Sequence, residues 1–547
     1  MLKLGAQSGR GIKTDQSQKK PGPRVTIDNS REALLGNLQS CFFLANALPD
    51  AVTWYQKKGV DTMGFTKAKK GSGITVVYWV IFAFLLALAA FLLFYKLGSM
   101  SIINLDEALY GVNAYEMDQS NEWIVNTFRG EPDYKSLMPP LAMWLIRLGY
   151  RLFGYSAFGL RAYSAISMLM AAVVLVLWVK RRHGMVASLF AMALLVCNNA
   201  IYIGHFARFG DKDALYFLFF TGAMLFMLDS SRNIRWLYGT AVCFGLAFLT
   251  KGWHSVMIPA TCLVYLLVTG EFKKLKPRHY LGLVALGLLL IVPWAILRYQ
   301  RDGVTFFVRG FIQDVQGGLE SANGRVGAGG QVELFAYVWF LLLERAGPIT
   351  AVVACLMGVL LLIARKKRPS LEYKGFLAWV LVVPILYSCF PYKNFWYVYP
   401  VMAGLAVAGG VAMGGLWRAV RGRKLARAGV VAVAVALLVQ GGALVNQISN
   451  TPGAHTFQRT IAYAVDREVD SGVRVYIQYE NGPNWSDGDL LCAMLAGDVT
   501  CVDGGIEAFT QDEEEALLIL AKECMTNELA EYYAVALDNG PVLVLEN

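Results

Sequence analysis

Charge is what this chain has least of. Only 16% of its 547 residues are Asp, Glu, Lys or Arg, while 56% are hydrophobic. A soluble chain of that length does not cover itself with so few charges, so a soluble enzyme or binding module is excluded and a polytopic membrane protein is indicated. The nine cysteines form no CxxC and no zinc-type spacing. Cys197, Cys243, Cys262, Cys355 and Cys389 lie in or beside apolar runs and read as packing. Cys41 falls on the N-terminal arm, and Cys492, Cys501 and Cys524 in the C-terminal tail. A Cys492–Cys501 disulfide is an open option there, though the odd count argues against a dense framework. No signal peptide is visible: the first apolar run starts near Ile74 and no small-residue cleavage site follows it. Ionisable residues near mid-bilayer and an internal repeat are also missing, which argues against a secondary transporter.

What is present is a series of apolar runs separated by short loops. The runs are about 74–97, 158–179, 185–204, 213–230, 235–250, 253–270, 280–299, 334–364, 375–391, 395–416 and 427–447, each near the roughly 20 residues that a bilayer core needs. The formal charge of +10 is no nucleic-acid signal, because the basic residues cluster in every second loop. These clusters are Lys180–Arg182, Arg232 with Arg235, Lys273–Arg278, Arg365–Arg368 and Arg418–Arg427. The positive-inside rule places them in the cytoplasm. The loops that start near Met100, Gly204, Lys251, Arg301 and Pro391, and the tail after Asn446, then face outward.

Three regions follow. Residues 1–73 read as a basic, mostly disordered cytoplasmic arm, with one short helix around 31–47. Residues 74–449 are the membrane domain, with outer loops at 98–157 and 300–333. The first loop holds helical segments at Glu107–Ser120 and Pro139–Phe153. In the second of these, aromatics interleave with Arg147 and Arg151, as suits a helix lying in the interface plane. The Gly-rich 316–331 stretch of the second loop reads as a flexible linker or as a lid that orders on substrate. Residues 450–547 form a small α/β domain outside the membrane. Strands are expected at 474–479, 498–502, 532–537 and 541–546, and helices near 456–469 and 512–527. No nucleotide-type Gly motif occurs there. Asn484 opens an N-W-S sequon, a weak sign by itself.

The residues able to do chemistry collect at the outer ends of the runs. Asp106 and Glu107 are an adjacent carboxylate pair near a bilayer surface, a costly placement. A helix N-terminus alone would also favour acids, but Glu116 and Asp118 follow on the same helix. The loop HFARFGDKDALYF offers His205, Arg208, Asp211, Lys212 and Asp213. Its bland reading is a polar turn, with His205 an interfacial histidine rather than a metal ligand. Lys251 reads as a snorkelling lysine or an anion site. Lys393 sits among the aromatics of CFPYKNFWYVYP, including Tyr397. A general base with phosphate-binding cations describes transfer from a phosphate-linked donor.

In this order the motifs resemble the C-type membrane glycosyltransferases. Within them the chain looks like bacterial relatives of protein O-mannosyltransferases and of the lipid A aminoarabinose transferase. The resemblance runs over about residues 100–400. It rests on DEALY, Glu116-Met117 with Trp123, PPLAMWL, RLFG then LRAYSA, ARFGDKDA, LAFLTKG, VPW and YKNFWYVYP. It implies a mainly α, polytopic GT-C fold of about 11–13 transmembrane helices, with interfacial helices outside and a small C-terminal α/β domain. It also implies an inverting glycosyltransferase that moves a sugar from a polyprenyl-phosphate donor to an acceptor hydroxyl of a protein, lipid or glycan on the outer face. Asp106 matches the presumed catalytic base, Glu107 its companion and Asp213 the second-loop acid. Lys251 and Lys393 match lysines near the donor phosphate; Lys135, Arg129 and Tyr397 are further donor-phosphate candidates. The chain departs from the family before Pro139-Pro140, where no acid stands, and at Leu109, where the aminoarabinose branch has arginine. No metal ligands are therefore assigned and no cofactor is expected to be required. The alternative is a transporter or flippase of a lipid-linked sugar.

Overall fold

The computed structural model describes residues 72–134, 137–202, 204–312, 370–389, 394–420, 422–468 and 472–547. Several expectations lie outside the described residues: the arm up to residue 71 with its helix at 31–47, Cys41, Lys135, the Gly-rich stretch of the second loop, the run 334–364 with Cys355, and Lys393.

Among the described residues the apolar runs are helices. The membrane domain consists of α1 (Ser72–Phe94), α4 (Ala157–His183), α5 (Met185–Val196), α6 (Asp213–Asp229), α7 (Leu237–Lys251), α8 (Met257–Thr269), α9 (Pro277–Asp302), α11 (Leu371–Ser388), α12 (Pro400–Ala419) and α13 (Lys424–Ser449). The first outer loop contributes α2 (Asp106–Gln119) and α3 (Leu141–Phe153), and α10 (Thr305–Phe311) follows α9. By length and composition, seven described helical stretches can cross a membrane, and one of them is the 36-residue run Ile234–Thr269. That run is a hairpin of two spans. It breaks at Gly252, whose φ of 56° is a left-handed value that favours glycine. Its two far ends meet the same basic end of the bundle. Asp229, just before α7, pairs with Arg181 and Arg182. Lys374 reaches Val268 O at the end of α8, while Glu372 beside it binds Arg182.

That basic end also holds the start of α1, where Lys180 Nζ lies 3.7 Å from the Trp79 ring centroid. The opposite end holds the finish of α1 and α13, joined by Lys96 Nζ donating to Ser449 O at 2.8 Å. The C-terminal domain therefore sits at the end opposite the start of α1.

The first outer loop packs on that second end. In α3, Ala142, Met143, Ile146 and Tyr150 are buried while Leu148, Leu152 and Phe153 are exposed, the two-faced pattern of an interfacial helix. Its arginines are not interfacial anchors alone. Arg147 is buried, and both it and Arg151 bind Asp118 of α2. Gly149 lets α3 approach α4: a Cβ there would fall 2.2 Å from Gly159 O.

The C-terminal domain has a five-stranded sheet in the order β4-β3-β5-β7-β6. The strands are β3 (Arg474–Gln478), β4 (Thr500–Val502), β5 (Ala516–Ala521), β6 (Ala534–Asp538) and β7 (Val542–Glu546), flanked by α14 (Thr456–Glu468), α15 (Asp487–Ala496), α16 (Gly505–Thr510) and α17 (Asn527–Tyr532). β3 runs parallel to both β4 and β5, and β7 is antiparallel to β5 and β6. One expectation is corrected here. The segment 512–527, read as helix, holds the central strand β5, in which all six residues ALLILA are buried. A strand covered on both faces shows no alternation, so its apolar run imitates a short helix. The helix α15, capped by Ser486 Oγ accepting from Asp489 N, had no counterpart in the sequence reading. Cys492 and Cys501 are free thiols.

Candidate active site

The site is assembled at the N-terminus of α2, where three segments converge. Asp106 is the first residue of α2, and the preceding Leu105 has φ 74°, a left-handed value for a residue with a Cβ. Such backbone strain costs on the order of 1–3 kcal/mol and persists only where the surroundings enforce it. The C-terminal domain enforces it. Gln458 of α14 pairs with both backbone groups of Ile102, at 2.8 and 2.9 Å. Asn104 Oδ1 accepts from Gly488 N at 2.7 Å. The side chain of Asp106 remains 43% exposed.

Glu107, the expected catalytic companion, does not share that exposure. Its side chain is 2% exposed and bonds to Arg161 of α4 at 2.7 and 2.9 Å. It also accepts from Gly210 N at 2.7 Å and Ile103 N at 3.0 Å. Successive residues on a helix point about 100° apart, so the pair cannot serve one surface. Glu107 is a brace. It ties α2 to α4 and to the loop 204–212, which carries the rest of the site. Arg161 completes the brace by donating to the carbonyls of Leu97, Met100 and Ser101, and Arg208 does the same for Leu92 and Tyr95. Gly210 is required at its place. A Cβ there would lie 2.7 Å from Leu160 Cγ and 3.4 Å from Glu107 Cγ.

The loop 204–212 brings His205, Asp211 and Lys212 to Asp106. Lys212 Nζ is 4.0 Å from Asp106 Oδ2 and 4.2 Å from the Tyr110 ring centroid. Asp106, His205 and Asp211 each offer a ligand atom, and these atoms lie within 4.8 Å of one another. Asp211 is buried; burial first and the neighbouring Asp213 second push its carboxyl up to about 7. His205 Nδ1 stands 3.6 Å from it, and that carboxylate raises the imidazole above its usual range despite burial.

Asp213 and Lys251, both buried, form an ion pair with each other. The charge of Lys251, the lysine expected near the donor phosphate, is thus balanced by Asp213. Lys251 also lies 5.6 Å and 5.5 Å from the ring centroids of Tyr216 and Tyr397. Tyr397 packs on His254 with centroids 4.6 Å apart, and the adjacent Trp396 packs on His205 at 5.0 Å. Asp106, Asp213, Lys251 and Tyr397 therefore belong to one neighbourhood, linked through His205, Asp211 and Lys212. Arg129 does not join it. Its guanidinium, expected as a donor-phosphate candidate, pairs with Asp503 of the C-terminal domain.

The roles of Arg161, Gly210 and Lys212 were not read from the sequence. An arginine inside an apolar run, as at Arg161, was the available signal, because a charge there is kept only with a partner.

The molecule is similar to known proteins in sequence and in fold. A family model described as dolichyl-phosphate-mannose-protein mannosyltransferase matches residues 138–297. An undecaprenyl phosphate-alpha-4-amino-4-deoxy-L-arabinose arabinosyl transferase of Pseudomonas savastanoi pv. phaseolicola is 30% identical over 226 residues, 40% of this chain and 42% of that protein. One from Sodalis glossinidius is 27% identical over 316 residues, 55% of this chain and 53% of that protein. The chain thus spans about half the length of the curated relatives it matches. Among solved structures, ArnT from Cupriavidus metallidurans in the apo state superposes with a TM-score of 0.65 at 18% identity, covering 86% of this chain and 98% of that one. The same protein bound to undecaprenyl phosphate gives 0.63. At this identity the likeness is one of fold.

Proposed function

We propose that this chain, which has the fold of the C-type membrane glycosyltransferases, transfers a sugar from a polyprenyl-phosphate donor to an acceptor hydroxyl at the outer face of the membrane. The observation that carries the reading is the placement of Asp106. It is a half-exposed carboxylate on a strained, braced turn, 4.0 Å from Lys212, with the other ionisable residues of the site gathered around it. The likeness to proteins named for undecaprenyl-phosphate-linked sugars supports the donor class.

In this mechanism Asp106 accepts the proton of the acceptor hydroxyl as its oxygen bonds to the anomeric carbon. The bond from that carbon to the phosphate oxygen breaks on the opposite face. The configuration inverts, and polyprenyl phosphate leaves with the electron pair. General base catalysis contributes about 10²–10⁴-fold. Lys212 orients the carboxylate of Asp106 and offers positive charge to the donor phosphate. Lys251, its charge balanced by Asp213 and its side chain flanked by Tyr397, offers N–H donors rather than net charge. A phosphate leaving group needs no strong general acid.

The ligand atoms of Asp106, His205 and Asp211 fit a divalent cation, the buried carboxylate of Asp211 being a costly group to leave ionised without one. Bound there, a cation would supply Lewis-acid charge toward a phosphate oxygen. We propose that it is not obligatory, because Lys212 offers an ammonium group at the same place. The basic end of the bundle is assigned to the cytoplasm, so that the site and residues 450–547 are outside. Comparing cell-envelope glycans by mass spectrometry with and without the protein tests the reading. Loss of one sugar modification is expected, and an unchanged glycan profile would contradict it.

A further inference from the structure

A second cavity lies away from Asp106. A cleft of about 470 Å³ opens between the first outer loop and the C-terminal domain, a size typical of small-molecule sites. One wall is a hairpin, β1 (Thr127–Phe128) and β2 (Glu131–Pro132), which brings Arg129, Glu131 and Asp133. The other brings Trp485, Asp487 and Asp503. Both walls are anchored. Asn113 of α2 donates to Thr127 O at 2.7 Å, and Glu116 Oε1 accepts from Arg129 N at 2.6 Å. Opposite, Asp503 accepts from Trp485 N at 3.0 Å, and Trp485 Nε1 donates to Val502 O at 3.0 Å. Arg129 bridges the two walls through Asp503.

The lining carries four carboxylates against one guanidinium, and that guanidinium is already committed to Asp503. The cleft therefore repels phosphate and carboxylate groups, including the donor headgroup, and attracts cations. Its position is fixed relative to Asp106 by α2. Glu116, which holds the hairpin, stands ten residues beyond Asp106, about 15 Å along the helix axis. A ligand seated there rests on the hairpin that α2 anchors, beyond the far end of the helix that carries the proposed base.

Resting on the glycosyl-transfer reading above, we infer that this cleft binds an amine-bearing glycan, the part of the acceptor remote from the attacking hydroxyl. Carboxylates accept two hydrogen bonds each from sugar hydroxyls and make charge-assisted bonds to a protonated amine, the stronger kind. Asp487 and Glu131, on facing walls, bracket that amine.

The test uses the full-length protein in detergent and no donor. The probe is the β-1,4-linked glucosamine disaccharide, titrated calorimetrically at a pH where its amines are protonated. The di-N-acetylated disaccharide is the control with the same rings and no charge. The free-amine sugar is expected to bind at least tenfold more tightly. Glu131→Gln with Asp487→Asn should remove that preference while the unfolding temperature stays unchanged. Equal affinities, no binding of the amine, or a preference that survives the double variant would each overturn the inference. Its failure is separable from failure of the proposed function. If the disaccharide does not bind while Asp106-dependent transfer to envelope glycans persists, the cleft assignment falls alone. If it binds as described while Asp106→Asn still transfers sugar, the catalytic reading falls alone.

Discussion

Replacing Glu107 by Gln separates a brace from a catalytic group. The carboxylate carries a bidentate pair with Arg161 and two backbone N–H bonds, with side-chain exposures of 2% and 0% for the pair. Removing one partner of a buried ion pair costs about 3–5 kcal/mol. Glutamine keeps one acceptor oxygen, so the low end, about 3 kcal/mol, is expected. Its amide donors would face Arg161 or Gly210, neither of which can accept, so the register of the loop 204–212 against α2 should loosen. Thermal unfolding in detergent should shift down by several degrees. At a temperature where the variant is still folded, kcat should fall at least tenfold, with the shape of the pH–rate profile unchanged. A displaced profile would assign Glu107 to proton transfer. A shift in unfolding temperature with kcat within twofold of the parent would refute the claim that the brace positions Asp106.

Other outcomes follow from the same geometry. Gly149→Ala puts a Cβ 2.2 Å from Gly159 O. Because backbone cannot swing aside, the α3–α4 packing should loosen by about 1–3 kcal/mol, readable as protease sensitivity of the first outer loop. Transfer activity should survive chelation; loss restored by one specific divalent ion at micromolar levels would show the cation to be obligatory. Any cation held by Asp106, His205 and Asp211 must compete with the proton on Asp211, whose carboxyl titrates at about 7. His205, whose imidazole the Asp211 carboxylate raises above its usual range, must give up its proton as well, so the affinity should fall as the pH drops through this range, by more than about tenfold per unit where both groups hold a proton, which calorimetry can follow. An affinity independent of pH would place the cation elsewhere.

The sequence exposed the membrane helices well, because a bilayer core demands long apolar runs and punishes charge within them. The division of the run 234–269 into two spans was legible because Lys251-Gly252 interrupts it. Other features required three dimensions. The Asp213–Lys251 pair joins residues on two helices, and nothing local announces it. The same holds for Arg129 and Asp503, which lie 374 positions apart. The separate fates of Asp106 and Glu107, by contrast, were implicit in helical geometry, since neighbours on a helix diverge. β5 was misread because burial on both faces erases the period that distinguishes strand from helix. The Asp106–His205–Asp211 grouping joins the first outer loop to the loop ahead of α6, and nothing local in the sequence announces it.

We propose Asp106 as the base of an inverting glycosyl transfer, and the rest of the proposed function stands on that role. It is tested most directly with the purified protein reconstituted in vesicles, a labelled polyprenyl-phosphate sugar as donor and an extract of envelope glycans as acceptor. Parent and Asp106→Asn are compared, and the anomeric configuration of the product is read by NMR. Transfer with inversion is expected of the parent, and less than about a hundredth of that rate of the variant, in line with loss of a general base, with its unfolding temperature unchanged. A variant that retains a tenth or more of the parent rate, or a product with retained configuration, would contradict it.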